Sequence, residues 1–155
     1  MDYQVRTARI TDVDRLVALF APALDPAGGP LVAADLLRQL IYLPQASVLV
    51  AERRREVIGG AVLALRPSVR AGGYIGTIDL LTVDQGADAV SVTNDLLEEI
   101  FRSARNKGCT VVEAALPIDP GERARWEDRG FSIGGSLMTR SVAVRKAAAA
   151  RQARI

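Results

Sequence analysis

Hydrophobic and polar positions alternate, cluster and recur along this chain in a way that predicts one α/β domain. Tyr3 to Arg9 alternates like a first strand. Thr11 opens a helix with Asp14 as its capping partner, and Leu16, Leu19 and Phe20 fall on one helical face. Pro26 to Pro30 is a break, after which Leu31 to Ile41 returns to helical spacing through Leu36, Leu37, Leu40 and Ile41. Ser47–Arg53 and Val57–Leu65 are apolar runs of strand length joined by a charged turn, which predicts a hairpin. Tyr74–Val83 reads as the next strand. A helix over Ser91–Asn106 follows, with Leu96, Leu97, Ile100, Phe101 and Ala104 on its apolar face and Gly108 as its stop. Cys109–Leu116 reads as a strand buried on both faces, Gly121–Arg129 as a short helix, and Phe131–Ile133 and Leu137–Val144 as closing strands. Strands alternating with helices predict layers around a mixed sheet.

With 155 residues, 49% of them hydrophobic, the chain has material for a substantial core. A net charge of +2 names no partner. The chain has no histidine, which removes the commonest general base and metal ligand. Its one cysteine, Cys109, excludes an internal disulfide and a cysteine zinc site, so no metal is expected. No apolar run reaches membrane-spanning length, and a cytoplasmic setting is expected. The basic tail 145–155 carries Arg145, Lys146, Arg151 and Arg154 without interleaved aromatics, which argues against nucleic-acid stacking. Arg66 and Arg70 flank a loop and could attract an acidic substrate, although solvated loop arginines are the commoner case.

Two carboxylates stand out. Asp79 lies in an apolar strand, on the face of Thr77, Leu81 and Val83 by alternation; burial there would raise its pKa and suit it to accept a proton. A hydrogen-bonded or strand-end aspartate is the plainer reading of the same residue. Glu113, on the neighbouring strand, is the alternative base. Asp88, Ser91 and Thr93 are of the types that cap helices, and we read them as closing the N-terminus of the long helix with their own oxygens.

Several pieces resemble the GNAT superfamily of N-acetyltransferases. They are Val5–Phe20, the charged turn and Val-Ile-Gly of Arg53–Gly59, the strand–turn–helix of Thr77–Leu97, and Trp126, Glu127, Gly130 and Phe131 in the place of a Tyr-Glu-x-x-Gly-Phe motif. The resemblance implies an α/β (α+β) domain over residues 1–144, with a mixed, mostly antiparallel sheet of six to seven strands and about four helices. It implies acetyl transfer from acetyl-CoA to a small-molecule or peptide amine. Main-chain groups at Leu81 and Val83 would serve the pantetheine arm. The positions of an Arg-Gly-x-Gly-x-Gly/Ala turn are held by Asp88, Ala89, Ser91 and Thr93. A carboxylate at Asp88 would repel a diphosphate at about 5 Å by roughly 3 kcal/mol, about a hundredfold in affinity. Trp126 stands where the resemblance implies an acid tyrosine and cannot deliver a proton, and Asp119 stands near a coenzyme-side asparagine. The expectation is therefore weak coenzyme binding. The alternative is a non-catalytic GNAT-fold protein that binds a partner or regulates, with Leu137–Val144 as an edge for a homodimer.

Overall fold

Apolar runs without helical spacing become strands, and runs with it become helices. The elements are β1 (Tyr3–Thr7), α1 (Val13–Phe20), α2 (Gly29–Tyr42), β2 (Ala46–Arg53), β3 (Glu56–Ser68), β4 (Gly73–Val83), α3 (Ala89–Asn106), β5 (Cys109–Ala114) and α4 (Pro120–Asp128). The computed structural model describes residues 2–86, 88–135, 137, 138 and 140. The chain divides into two compact units, Met1–Ala115 and Leu116–Ile155.

In the first unit the strands form one sheet in the order β1-β2-β3-β4-β5. The first three pairings are antiparallel and β4–β5 is parallel. A parallel pair needs a long crossover, and α3 supplies it. Five strands replace the six to seven expected among the described residues. Phe131–Ile133 is irregular rather than extended in a sheet. Apart from Leu137, Met138 and Arg140, the expected closing strand Leu137–Val144, the homodimer edge it would offer and the basic tail lie outside the described residues. Cys109–Leu116 was expected to be buried on both faces. Instead β5 ends at Ala114, with Thr110 and Val111 exposed, because the described residues place no strand beyond it.

Two adjacent glycines show how the layers close on this sheet. A Cβ on Gly59 would meet Val92 and Leu96 of α3 and Val83 of β4. A Cβ on Gly60 would meet Leu16 and Phe20 of α1, the first at 2.5 Å. Helix α3 therefore covers one face of the sheet and α1 the other. Leu16, Phe20, Leu96, Leu97 and Ile100 are fully buried in these contacts. Each such side chain contributes about 1.5–3 kcal/mol. Helix α2 joins α1 on its face through Ala34 and Leu37.

The start of α1 is built differently from the expected Thr11–Asp14 pair. A short 3-10 turn, Ile10–Asp12, precedes it, and Asp12 accepts from the Arg9 amide at 2.7 Å. Asp12 also takes both Arg6 Nη atoms, at 2.8 and 3.0 Å, while Arg6 Nε reaches Glu52 at 2.9 Å. Burial alone would raise the Asp12 pKa, but Arg6 and the Arg9 amide hold it below the ordinary carboxylate value. No helix among the described residues is long and apolar enough to cross a membrane.

Candidate active site

One extra residue in β4 sets the geometry of the site. Leu80 lies opposite Val62 and Ile78 opposite Leu63, so Asp79 between them has no cross-strand partner and forms a β-bulge. The bulge breaks the alternation on which the expected facing rested. Thr77 pairs with Ala64 on the α1 side, whereas Leu81 and Val83 pair with Ala61 and Gly59 on the α3 side. Asp79 is exposed rather than buried, because the bulge removes it from the packed alternation. The expected buried carboxylate within an apolar strand is thus corrected.

The parallel pairing stops just before the bulge, where β5 itself ends. The β4–β5 ladder runs from Tyr74–Cys109 to Ile78–Ala114 and stops. From Asp79 to Val83, β4 is paired with β3 alone among the described residues. Beyond Ala114 no strand among the described residues pairs with that side of β4, so its main-chain donors and acceptors there have no ladder partner.

Beyond Val83 the chain turns into α3, whose N-cap is Asp88. The expected side-chain capping does not occur. Asp88 has φ −97° and ψ 5°, outside the extended region from which a cap side chain folds back onto the amides. Its carboxylate instead accepts from Arg53 Nη2. Arg53 also donates through Nε to Asp2 at 3.1 Å. The Thr93 hydroxyl donates to the Ala89 carbonyl at 2.8 Å, a back-bond one turn away that receives no amide. Ser91 makes no side-chain hydrogen bond among the described residues. The Asp88 carboxylate therefore faces a guanidinium, and among the described residues no side-chain oxygen caps the helix amides, although the Ala89 amide donates to the Gly86 carbonyl at 3.2 Å. The turn is also tied from below. Arg15 of α1 donates to the Val57 carbonyl at 3.1 Å and to Asp84 at 2.7 Å, and the Asp84 amide donates to Ile58 at 2.8 Å. On α3, Asp95 accepts from the Tyr3 hydroxyl at 2.5 Å. Burial first, and Asp95 second, push the Tyr3 phenol up to about 12.

Glu113 is the second carboxylate. It lies beside Thr77 in the parallel ladder, one pair before the ladder ends. Thr77 Oγ1 donates to Glu113 Oε1 at 3.0 Å, and Arg66 Nη2 lies 3.4 Å from the same oxygen. The glutamate is half-buried and opens to solvent, with its side chain 43% exposed. Arg66, which the sequence assigned to a solvated or substrate-attracting loop, belongs to β3 and engages this acid.

Asp119 and Trp126 belong to the second unit. Asp119 is the N-cap of α4 and accepts from the Glu122 amide at 2.9 Å. Trp126 stacks obliquely on Phe131, with ring centroids 5.0 Å apart. Its indole N–H is buried with no hydrogen-bond partner among the described residues. No group of three or more metal-ligating side chains occurs among the described residues.

Two participants were missed in the sequence, Arg53 and Thr77. Nothing local marks either one, because each acts on a residue 35 or 36 positions away.

The sequence matches no protein-family model and no curated protein. Solved structures match over most of the chain. Glucosamine-6-phosphate N-acetyltransferase from Arabidopsis thaliana superposes with a TM-score of 0.74 at 14% identity, covering 92% of this chain and 99% of that one. An acetyltransferase from Trypanosoma brucei gives 0.73 at 19% identity, covering 91% and 100%. An integron cassette protein from the mobile metagenome of Cole Harbour Salt Marsh gives 0.76 at 24% identity, covering 90% and 91%. These likenesses establish the architecture, which is a GNAT fold.

Proposed function

We propose that this chain is an N-acyltransferase that moves an acetyl group from acetyl-CoA to a small-molecule or peptide amine. The observation that carries the reading is the end of the β4–β5 ladder at Ile78–Ala114, which leaves one side of Asp79–Val83 without a strand partner among the described residues, directly before an α3 N-cap that makes no side-chain cap hydrogen bond. Both features fit a thioester coenzyme. The main chain of Leu81 and Val83 would hold the pantetheine arm, since strand groups without a partner accept an amide-bearing chain. The opening of α3, from Asp88 and Ala89 to Ser91 and Thr93, would hold the diphosphate, since helix-start amides and the helix dipole favour an anion. Arg53 offsets the Asp88 charge that would otherwise oppose it. The expectation of a helix start closed by its own oxygens is withdrawn. The alternative, a non-catalytic partner-binding module, rests on Asp88, Ala89, Ser91, Thr93 and Trp126 standing in place of the motif residues, and the paired Asp88 charge weakens that motive.

Bound acetyl-CoA would supply a thioester carbonyl. The amine nitrogen forms a bond to that carbon, the carbon–sulfur bond breaks, and sulfur leaves with its electron pair. The amine proton passes to a carboxylate. Glu113 is assigned that role ahead of Asp79, because its position is fixed by two donors whereas Asp79 projects from a bulge. Asp119 is given no part in coenzyme binding, since it already caps α4. Trp126 is given no proton-donor role.

The test is thiol release from acetyl-CoA in the presence of a panel of primary amines: amino sugars, polyamines, amino-acid amides and peptides with free N-termini. Acceptor-dependent release supports the reading. No release with any acceptor, together with no calorimetric heat from acetyl-CoA or free CoA, overturns it.

A further inference from the structure

The contacts around Glu113 are one-sided, and that asymmetry has a chemical consequence. Thr77 Oγ1 and Arg66 Nη2 both engage Oε1, at 3.0 and 3.4 Å. Oε2 has no partner among the described residues. Thr77 is held opposite Ala64 and beside Glu113 by the two ladders of β4, which keeps its hydroxyl within hydrogen-bond reach of the acid. Arg66 lies opposite Ile75 in the same antiparallel ladder. One oxygen of the acid is thereby anchored to the sheet, while the other is left to meet an incoming group.

We infer that Thr77 and Arg66 are positioning residues that fix Glu113 by Oε1 and so present Oε2 as the atom that takes the amine proton. This rests on the acyl-transfer reading above and adds the device that orients its base. A long glutamate side chain on a half-exposed strand has several rotamers, and fixing one of them places the acceptor oxygen before substrate arrives. The proton goes from the amine nitrogen to Oε2 as the nitrogen–carbon bond forms and the carbon–sulfur bond breaks.

Thr77→Val and Thr77→Ser separate this role from a structural one. Valine keeps the shape and favours a strand, so packing predicts that it is tolerated at least as well as serine. Serine keeps the donor, so positioning predicts the reverse order. With the wild-type chain, acetyl-CoA and the best amine of the panel, Thr77→Val should lower kcat about tenfold with KM for acetyl-CoA unchanged. Thr77→Ser should recover most of that rate, although it gives up strand propensity. Arg66→Gln, an exposed change, should lower kcat by a smaller factor. Combined with Thr77→Val its effect should not add in full, since both donors serve one oxygen. A kcat for Thr77→Val equal to or above that of Thr77→Ser overturns the inference while leaving the acyl-transfer reading intact. Absence of transfer by the wild-type chain overturns both.

Discussion

Replacing Asp12 by asparagine perturbs a two-pronged ion pair on a buried carboxylate. Asp12 is the one charged side chain buried in the described residues, at 7% exposure. It receives two guanidinium nitrogens of Arg6 and the Arg9 amide. Breaking a buried pair by removing one partner typically costs about 3–5 kcal/mol. Two features lower that figure here. Arg6 keeps Glu52 at 2.9 Å, so its charge is not left alone. Asparagine keeps an oxygen for the Arg9 amide. A loss of about 2 kcal/mol is therefore expected near neutral pH, equivalent to roughly 4–8 °C in Tm for a chain of this size. Asp12→Ala, which also removes the amide acceptor, should lose about 1 kcal/mol more.

The pH dependence has a definite sign. The folded-state pKa of Asp12 lies below its ordinary value of 3.8. Its contribution is therefore fully present above that value and is lost as pH falls through the lower folded value. The asparagine variant has no such titration, so the gap between wild type and Asp12→Asn should narrow as the pH falls below about 4. Urea unfolding followed by far-ultraviolet circular dichroism, repeated from neutral to acid pH, measures this directly. Equal midpoints at neutral pH, or a gap that does not change with pH, would refute the reasoning.

Three further outcomes are expected. Arg53→Gln should weaken acetyl-CoA binding about fivefold by leaving Asp88 unopposed at the α3 start, and adding Asp88→Asn should restore it; calorimetry on both variants checks this. Absorbance titration should find the Tyr3 phenol ionising near 12, and Asp95→Asn should lower that value only in part, because burial is the larger cause. Gly60→Ala should destabilise by about 1–3 kcal/mol in denaturant melts, since its Cβ would lie 2.5 Å from Leu16 and 3.1 Å from Phe20, both buried.

The sequence carried whatever depended on spacing along one element. The apolar face of α3 through Leu96, Leu97 and Ile100 was legible because helical period and burial are the same information. The β2–β3 hairpin was legible from two apolar runs and a charged turn. What depended on a second segment was not legible. An alternating pattern cannot show that Asp79 is an extra residue, because a bulge exists only relative to the partner strand. Asp88 has the right chemistry for a cap, but Arg53 competes for its carboxylate from another strand. Thr11 and Asp14 had capping spacing, yet Arg6 drew the helix start to Asp12 instead. Glu113 was identified as an acid without the partners that orient it, since Thr77 and Arg66 reach it only through strand register.

Amide chemical-shift mapping of the isotope-labelled chain during titration with acetyl-CoA addresses the site most directly. The account predicts saturable shifts concentrated at the amides of Leu80–Val83 and at the opening of α3, from Asp88 to Val92. Saturation without movement at those amides, or no movement anywhere at millimolar coenzyme, would contradict it.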